Sequence, residues 1–160
     1  MGGRRGFSAI ELIIVVAILA IVSTVAIPSF IHQSNESKLR DAVSMLRGDL
    51  ESVRSRAIRE NASVAVLFNA GGYTIFIDNG SGGGFPDNGV RDGDEQLICT
   101  RTFKGGVNID MGSVTFQNNR TRFTARGYVG NSGVLRVGNS EGSRVTVDMN
   151  NRFGRIIVSG

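Results

Sequence analysis

A single cysteine, Cys99, and a single histidine, His32, restrict the chemistry open to this 160-residue chain. One thiol cannot close an internal disulfide, so the fold must be held by a core rather than by cross-links. Thiol catalysis would need a histidine partner, yet His32 lies just beyond a long apolar run, and Cys99 reads as a small buried apolar residue. No acid, base and nucleophile converge in the sequence, so it is read as non-enzymatic and without a cofactor. The glycines at 80, 82, 83 and 84 are followed by Phe85-Pro86-Asp87, which is no helix start, and this excludes a phosphate cradle of the strand-loop-helix kind. Asn61-Ala62-Ser63 would matter as a glycosylation signal only on a eukaryotic secretory route and is set aside. No repeat of fixed period appears.

The chain does have one long apolar run. Residues 12–27 are almost wholly apolar, and residues 7–31 are long enough to cross a hydrocarbon core of about 30 Å as a helix. Arg4 and Arg5 precede the run, and the positive-inside rule places them in the cytoplasm with the remaining chain outside. Glu11 interrupts the run near its start. A carboxylate inside a membrane helix costs about 2.5–3.5 kcal/mol or more and normally has a partner or a function. Two readings of Glu11 stand: it pairs with a positive charge, or it sits in the headgroup zone and snorkels. Pro28 also carries two readings, a bend within a helix or the end of the membrane segment.

The run is not an ordinary secretory signal, whose small-residue cleavage site follows the apolar region. Here the cleavable junction, Gly6-Phe7, precedes it, four residues before Glu11. This arrangement resembles the prepilin peptidase site of type IV pilins and type II secretion pseudopilins, the alternative being a plain signal anchor. The resemblance implies that a leader of residues 1–6 is removed, that Phe7 becomes the methylated amino terminus, and that the helix stays in the mature protein. It implies further that the new amino group pairs with Glu11 of a neighbouring subunit, and that Pro28 marks the bend of a pilin helix. Loss of Arg4 and Arg5 with the leader would lower the net charge from +4 to +2.

Beyond the run, Leu39, Val43, Leu46, Leu50, Val53 and Ala57 recur at alternating steps of four and three, the stripe of an amphipathic helix. Residues 32–61 are therefore read as a helix continuing from the membrane segment and ending near Asn61, weakened locally by Gly48. Residues 62–160 are read as β-rich. Residues 64–68 and 73–77 form a hairpin, and further strands are expected at 96–103, 107–109, 113–117, 133–137, 144–148 and 155–158. Their spacing suggests an antiparallel meander or two small sheets. The expected fold class is α+β, a long bent amino-terminal helix packed on antiparallel sheet, and one modest globular domain fits the length.

That order is the pilin architecture. Phe123-Thr124-Ala125-Arg126-Gly127, Gly133-Val134-Leu135-Arg136-Val137, Arg144-Val145-Thr146-Val147 and Gly154-Arg155-Ile156-Ile157-Val158 resemble the carboxy-terminal half of GspH/FimT-type pseudopilins.

Two segments carry charge in unusual density. Residues 78–95 contain Asp78, Asp87, Asp92, Asp94 and Glu95, oxygen ligands of the kind calcium takes, but without the spacing of a helix-loop-helix calcium site. The default reading is a flexible acidic hairpin loop with no metal. Residues 113–160 carry seven arginines, Arg120, Arg122, Arg126, Arg136, Arg144, Arg152 and Arg155, against Glu141 and Asp148. Arginine's planar fork suits phosphate oxygens. Arg126, Arg152 and Arg155 are the candidate DNA-binding residues, because FimT-type minor pilins carry a Gly-Arg-x-Arg motif near the end. Here Gly154-Arg155-Ile156-Ile157 lacks the second arginine, which favours a solvated face or contacts between filament subunits.

The resemblance implies a minor, GspH-like pseudopilin: a single-pass inner-membrane protein with a periplasmic domain, structural in role, in a type II secretion pseudopilus. Its implied partners are other pseudopilins or pilins, the prepilin peptidase, the inner-membrane assembly platform and membrane lipid. The alternative is a FimT-type minor pilin that binds DNA for uptake. A major filament subunit is disfavoured by the missing carboxy-terminal disulfide.

Overall fold

The computed structural model describes residues 8–150, 153 and 155–160. It is an α+β protein in which one helix, α1 (Ala9–Glu60), precedes eight antiparallel strands. The chain divides into two units, Met1–Ser34 and Asn35–Gly160.

The first unit is the amino-terminal part of α1. Its large apolar side chains, among them Ile10, Leu12, Ile13, Leu19, Ile21 and Phe30, are exposed. Among the described residues it contains the one stretch long and apolar enough to span a membrane, and none of that stretch is buried within the protein. Two of its hydroxyls are satisfied by their own helix, Ser23 Oγ donating to the Leu19 carbonyl and Thr24 Oγ1 to that of Ile21, both at 2.7 Å. Apolar surroundings require such internal satisfaction. The helix continues past Pro28, although proline has no N–H to donate to the preceding turn.

In the second unit α1 is amphipathic. Leu39, Val43, Leu46, Leu50, Val53 and Ala57 are all buried, while the pairs Glu36–Arg40, Arg47–Glu51 and Arg56–Glu60 lie along the solvent-facing sides. Each such pair adds only about 0.3–0.5 kcal/mol, so the stripe decides the packing. The helix stops by a defined device. Asn61 takes a left-handed conformation (φ 49°), its N–H bonds to the Ile58 carbonyl at 3.4 Å, and Ala62 N–H reaches back to Ala57 at 3.2 Å. These are the two bonds of a Schellman cap, and asparagine is one of the residues that tolerates its left-handed position.

Strands β1 (Ser63–Asn69), β2 (Gly72–Asp78), β3 (Leu97–Thr102) and β5 (Arg120–Phe123) form one sheet in the order β3-β2-β1-β5. Strands β4 (Asn108–Ile109), β6 (Val134–Gly138), β7 (Arg144–Asp148) and β8 (Ile157–Ser159) form the other, in the order β4-β6-β7-β8. Gly72 permits the closest approach in the first sheet: a Cβ there would collide with the Arg101 carbonyl. One apolar cluster contains the helix stripe, Val64, Val66, Phe68, Tyr73 and Ile75 of the first sheet, and Leu135, Val137 and Val147 of the second.

The expected strand at 113–117 does not form. The Asp110 carboxylate accepts from Gly112 N–H and starts a short 3-10 turn, Met111–Ser113. Thr115 then meets Val134 through its side chain as well as its backbone, its hydroxyl accepting from Val134 N–H at 2.8 Å. Local side-chain bonds of this kind compete with a ladder. Phe116 enters the core, with its ring centroid 5.3 Å from that of Phe68. The unanticipated strand is β5, whose alternating arginines lie on a sheet edge, where charged side chains discourage further pairing.

Gly48 lies on the exposed side of α1, and a Cβ there would meet open space. Gly48→Ala is therefore expected to stabilise residues 35–160 by about 0.5–1 kcal/mol, and Leu46→Ala to destabilise them by about 2–5 kcal/mol. Urea titration of that fragment checks both, and a destabilising Gly48→Ala would contradict the open surroundings of this position.

Candidate functional site

The residues singled out in the sequence fall at three places. Gly6 and Phe7 lie outside the described residues. Glu11 sits in the first turn of α1, where its backbone N–H bonds to the Ser8 carbonyl at 3.1 Å, and its side chain is on an exposed face. An N-terminal turn presents unsatisfied N–H groups and the positive end of the helix dipole, so a carboxylate is favoured there. Pro28 lies well inside the same helix.

The arginines do not form one face. Arg120 and Arg122 stand on β5 of the first sheet, whereas Arg136 and Arg144 belong to β6 and β7 of the second. Arg120 is committed to the Asn88 carbonyl at 3.3 Å. Arg122 lines an open cavity of about 530 Å³ with Arg126, Tyr128, Asp78 and Asp87, and its Nε is buried without a partner. Arg126 is exposed in the turn after β5, and Arg155 is exposed just before β8. Arg152 lies outside the described residues. The two exposed arginines are linked indirectly, because Tyr128 and Phe153 meet edge-to-face with centroids 6.4 Å apart.

The acidic segment is more ordered than a flexible hairpin loop. Asp78, only 1 % exposed, accepts from Asn88 N–H at 3.2 Å and Gly89 N–H at 2.6 Å. Glu95, equally buried, accepts from Gly80 N–H at 2.8 Å and Asp92 N–H at 3.2 Å. Asp92 holds Phe85 N–H and the Asn88 side chain, and Asp87 accepts from the Ser63 hydroxyl. The carboxylates act as internal caps for a glycine-rich backbone, and among the described residues no three ligating side chains converge on a metal position.

A further cluster joins helix to sheet. Asp49 of α1 accepts from the Tyr73 hydroxyl at 2.8 Å and from Arg101 Nε at 2.9 Å. Burial, reinforced by the bond to Asp49, pushes the Tyr73 phenol well above its usual range. Cys99 is half-buried rather than buried, and burial, with Asp49 adding, raises its thiol. A raised thiol is a poorer nucleophile at neutral pH.

A membrane-length apolar helix whose continuation walls a two-sheet antiparallel domain defines a pilin-like α+β protein. The sequence pattern of the type II transport protein GspH matches residues 42–153, and the chain belongs to that family. It is also similar to the pilin-like protein PilA1 of Thermus thermophilus, with 35 % identity over 78 residues. That match covers 47 % of this chain and 49 % of the relative, so it spans about half the relative's length. No solved structure gives a significant match. The protein is thus of the structural pilin and pseudopilin class, and its single amino-terminal apolar helix fits a single-pass, membrane-anchored member.

Burial is the main cause that raises the Asp78 carboxyl, with Glu95 adding, against the Gly89 and Asn88 amides and Arg122. The folded state therefore holds this proton more tightly than the unfolded chain. The unfavourable contribution is absent below the unfolded value of about 4 and complete above the raised folded value. Stability of residues 35–160 is expected to fall relative to Asp78→Asn as pH rises through that window. Chemical denaturation at a series of pH values checks this, and parallel profiles for the two proteins would show that Asp78 is not the titrating group.

Proposed function

We propose that the chain is a minor, GspH-like pseudopilin, a structural subunit of a periplasmic type II secretion pseudopilus without catalytic activity. The family match over residues 42–153, joined to an exposed apolar helix with Glu11 in its first turn, carries this reading. In it, prepilin peptidase cuts between Gly6 and Phe7 at the cytoplasmic face of the inner membrane, and Phe7 is methylated. Residues 7–31 anchor the subunit among lipid, with residues 32–61 and 62–160 in the periplasm. The assembly platform then passes the subunit to other pseudopilins, Glu11 pairing with a neighbour's amino terminus and α1 bending at Pro28.

Mass spectrometry of the membrane fraction tests processing. A chain beginning at Phe7 is expected in cells with active peptidase, and a bulky residue in place of Gly6 should leave the leader attached. Glu11→Leu should be cleaved normally yet fail to cross-link to partner pilins. An intact chain beginning at Met1, or unchanged cross-linking of the Glu11 variant, would count against the reading.

A second reading, a FimT-type minor pilin that binds DNA, has one observation in its favour. The exposed Tyr128–Phe153 pair stands between the segments carrying Arg126 and Arg155, and aromatic rings flanked by arginine suit exposed bases and phosphates. Asp78 and Asp87 beside Arg126 weigh against it. Weak or no duplex binding is expected for residues 35–160. Submicromolar binding near physiological salt, lost when Arg126, Arg152 and Arg155 become glutamine and with a steep salt slope in the parent, would place DNA uptake first.

A further inference from the structure

We propose that the cavity of about 530 Å³ at the carboxy-terminal end of α1 binds a neutral, N-acetylated saccharide, a ligand that the filament-subunit reading neither requires nor excludes. The cavity lies within residues 35–160, between the helix cap at Asn61, the start of the acidic loop at Asp78 and the turn that carries Thr124 and Tyr128. Its volume is that of a small-molecule site, about 300–1,000 Å³. Its walls, unlike those of most such sites, are chiefly polar, with Ala62, Pro86, Ala125 and the Tyr128 ring as the apolar surface.

The walls are already formed. Thr124 accepts from the Tyr128 N–H through its hydroxyl at 3.2 Å, and its own N–H bonds to the Tyr128 carbonyl at 2.9 Å. The Tyr128 ring is braced by Phe153 yet 42 % exposed. The stem of Arg122 runs so close to Gly130 that a Cβ there would stand 2.6 Å from Nε.

The hydrogen-bonding capacity these walls leave unspent selects the ligand. Acceptors are largely consumed: Asp78 is buried and holds two backbone N–H groups, Asp87 holds the Ser63 hydroxyl, and the Asn79 side-chain oxygen takes the Ser81 N–H at 3.1 Å. Donors are not. Among the described residues no acceptor is bonded to the guanidinium of Arg122 or of Arg126, and the Asn79 amide nitrogen and Tyr128 hydroxyl are likewise unclaimed. A fitting ligand therefore brings acceptors. It also carries little charge, because Asp78 and Asp87 offset the two arginines and an anion would sit beside like charges. A polyphosphate needs an excess of positive charge that the cavity lacks. A peptide brings one N–H for every carbonyl, and each donor left unmet costs about 1–3 kcal/mol. An N-acetylated sugar unit carries several oxygens to one N–H, which the exposed Asn61 side chain can accept. Its acetamido and hydroxyl oxygens take the arginine donors, hydroxyl protons turn outward to water, and the C–H face of the ring lies on Tyr128, whose π-face is partially negative.

The full-length chain, held in a detergent without a sugar head group, is titrated with N-acetylchitotetraose, cellotetraose, oligogalacturonate and a short duplex DNA. The chain has no tryptophan and two tyrosines, of which Tyr73 is buried, so tyrosine emission reports on Tyr128 beside a calorimetric titration. N-acetylchitotetraose is expected to bind saturably and to change that emission. Cellotetraose, which lacks the acetamido carbonyls, should bind at least about tenfold more weakly. Arg126→Gln and Tyr128→Ala, both at exposed positions, should each weaken the calorimetric binding at least about fivefold. No binding of N-acetylchitotetraose at millimolar concentration, equal binding of cellotetraose, or binding indifferent to both substitutions overturns the proposal. A preference for oligogalacturonate or DNA overturns it as well, since the cavity would then be an anion site.

Discussion

The apolar stripe of α1 from Leu39 to Ala57 is the constraint on which the globular unit depends. Each sheet has four strands, and several of these are only two to four residues long. Sheets this small bury little on their own. One cluster solves the problem for both, because the stripe lies among Val64, Val66 and Phe68 from one sheet and Leu135, Val137 and Val147 from the other. Removing a stripe residue therefore weakens two sheets at once. The Asp49–Tyr73–Arg101 bonds fix helix to sheet at a definite register that apolar contact alone would not specify.

The parts of this arrangement that follow a period were legible in the sequence. Alternating steps of four and three placed all six stripe residues, and β-branched and aromatic alternation placed β1, β2 and β7. What escaped was set by contacts distant in sequence or by side chains competing with the backbone. Asp49 meets Arg101 across 52 positions, and no local pattern marks that pair. Thr115 uses its hydroxyl where a strand would use its backbone. The acidic segment looked flexible because its glycines and carboxylates were read as solvent-facing. Buried Asp78 and Glu95 instead bind the loop's own N–H groups, which a sequence of such residues does not disclose.

The arginine-rich carboxy-terminal third shows how composition alone can mislead. Seven arginines suggest a single basic face, but the fold divides them between two sheets and spends some of them internally. Arg120 serves the acidic loop through Asn88, and Arg122 offsets part of the burial that raises Asp78. Arg126 opens onto a cavity it shares with two aspartates. Charge that is dense in sequence is therefore partly neutral in space.

Glu11 presents the opposite case, a single charge whose cost is not met locally. The first turn of a helix favours a carboxylate by about 0.3–1 kcal/mol. In a bilayer, a carboxylate deep in a helix costs about 2.5–3.5 kcal/mol or more. The helix end thus leaves a deficit of about 2 kcal/mol if Glu11 is submerged. Its side chain is exposed, so the chain's own packing does not shield it. Two remedies remain, a position at the headgroup boundary or a positive charge supplied by another molecule. The first leaves Glu11 replaceable by any residue that tolerates the interface. The second makes the cost itself useful, since a subunit entering a filament would relieve it and one left in the bilayer would not.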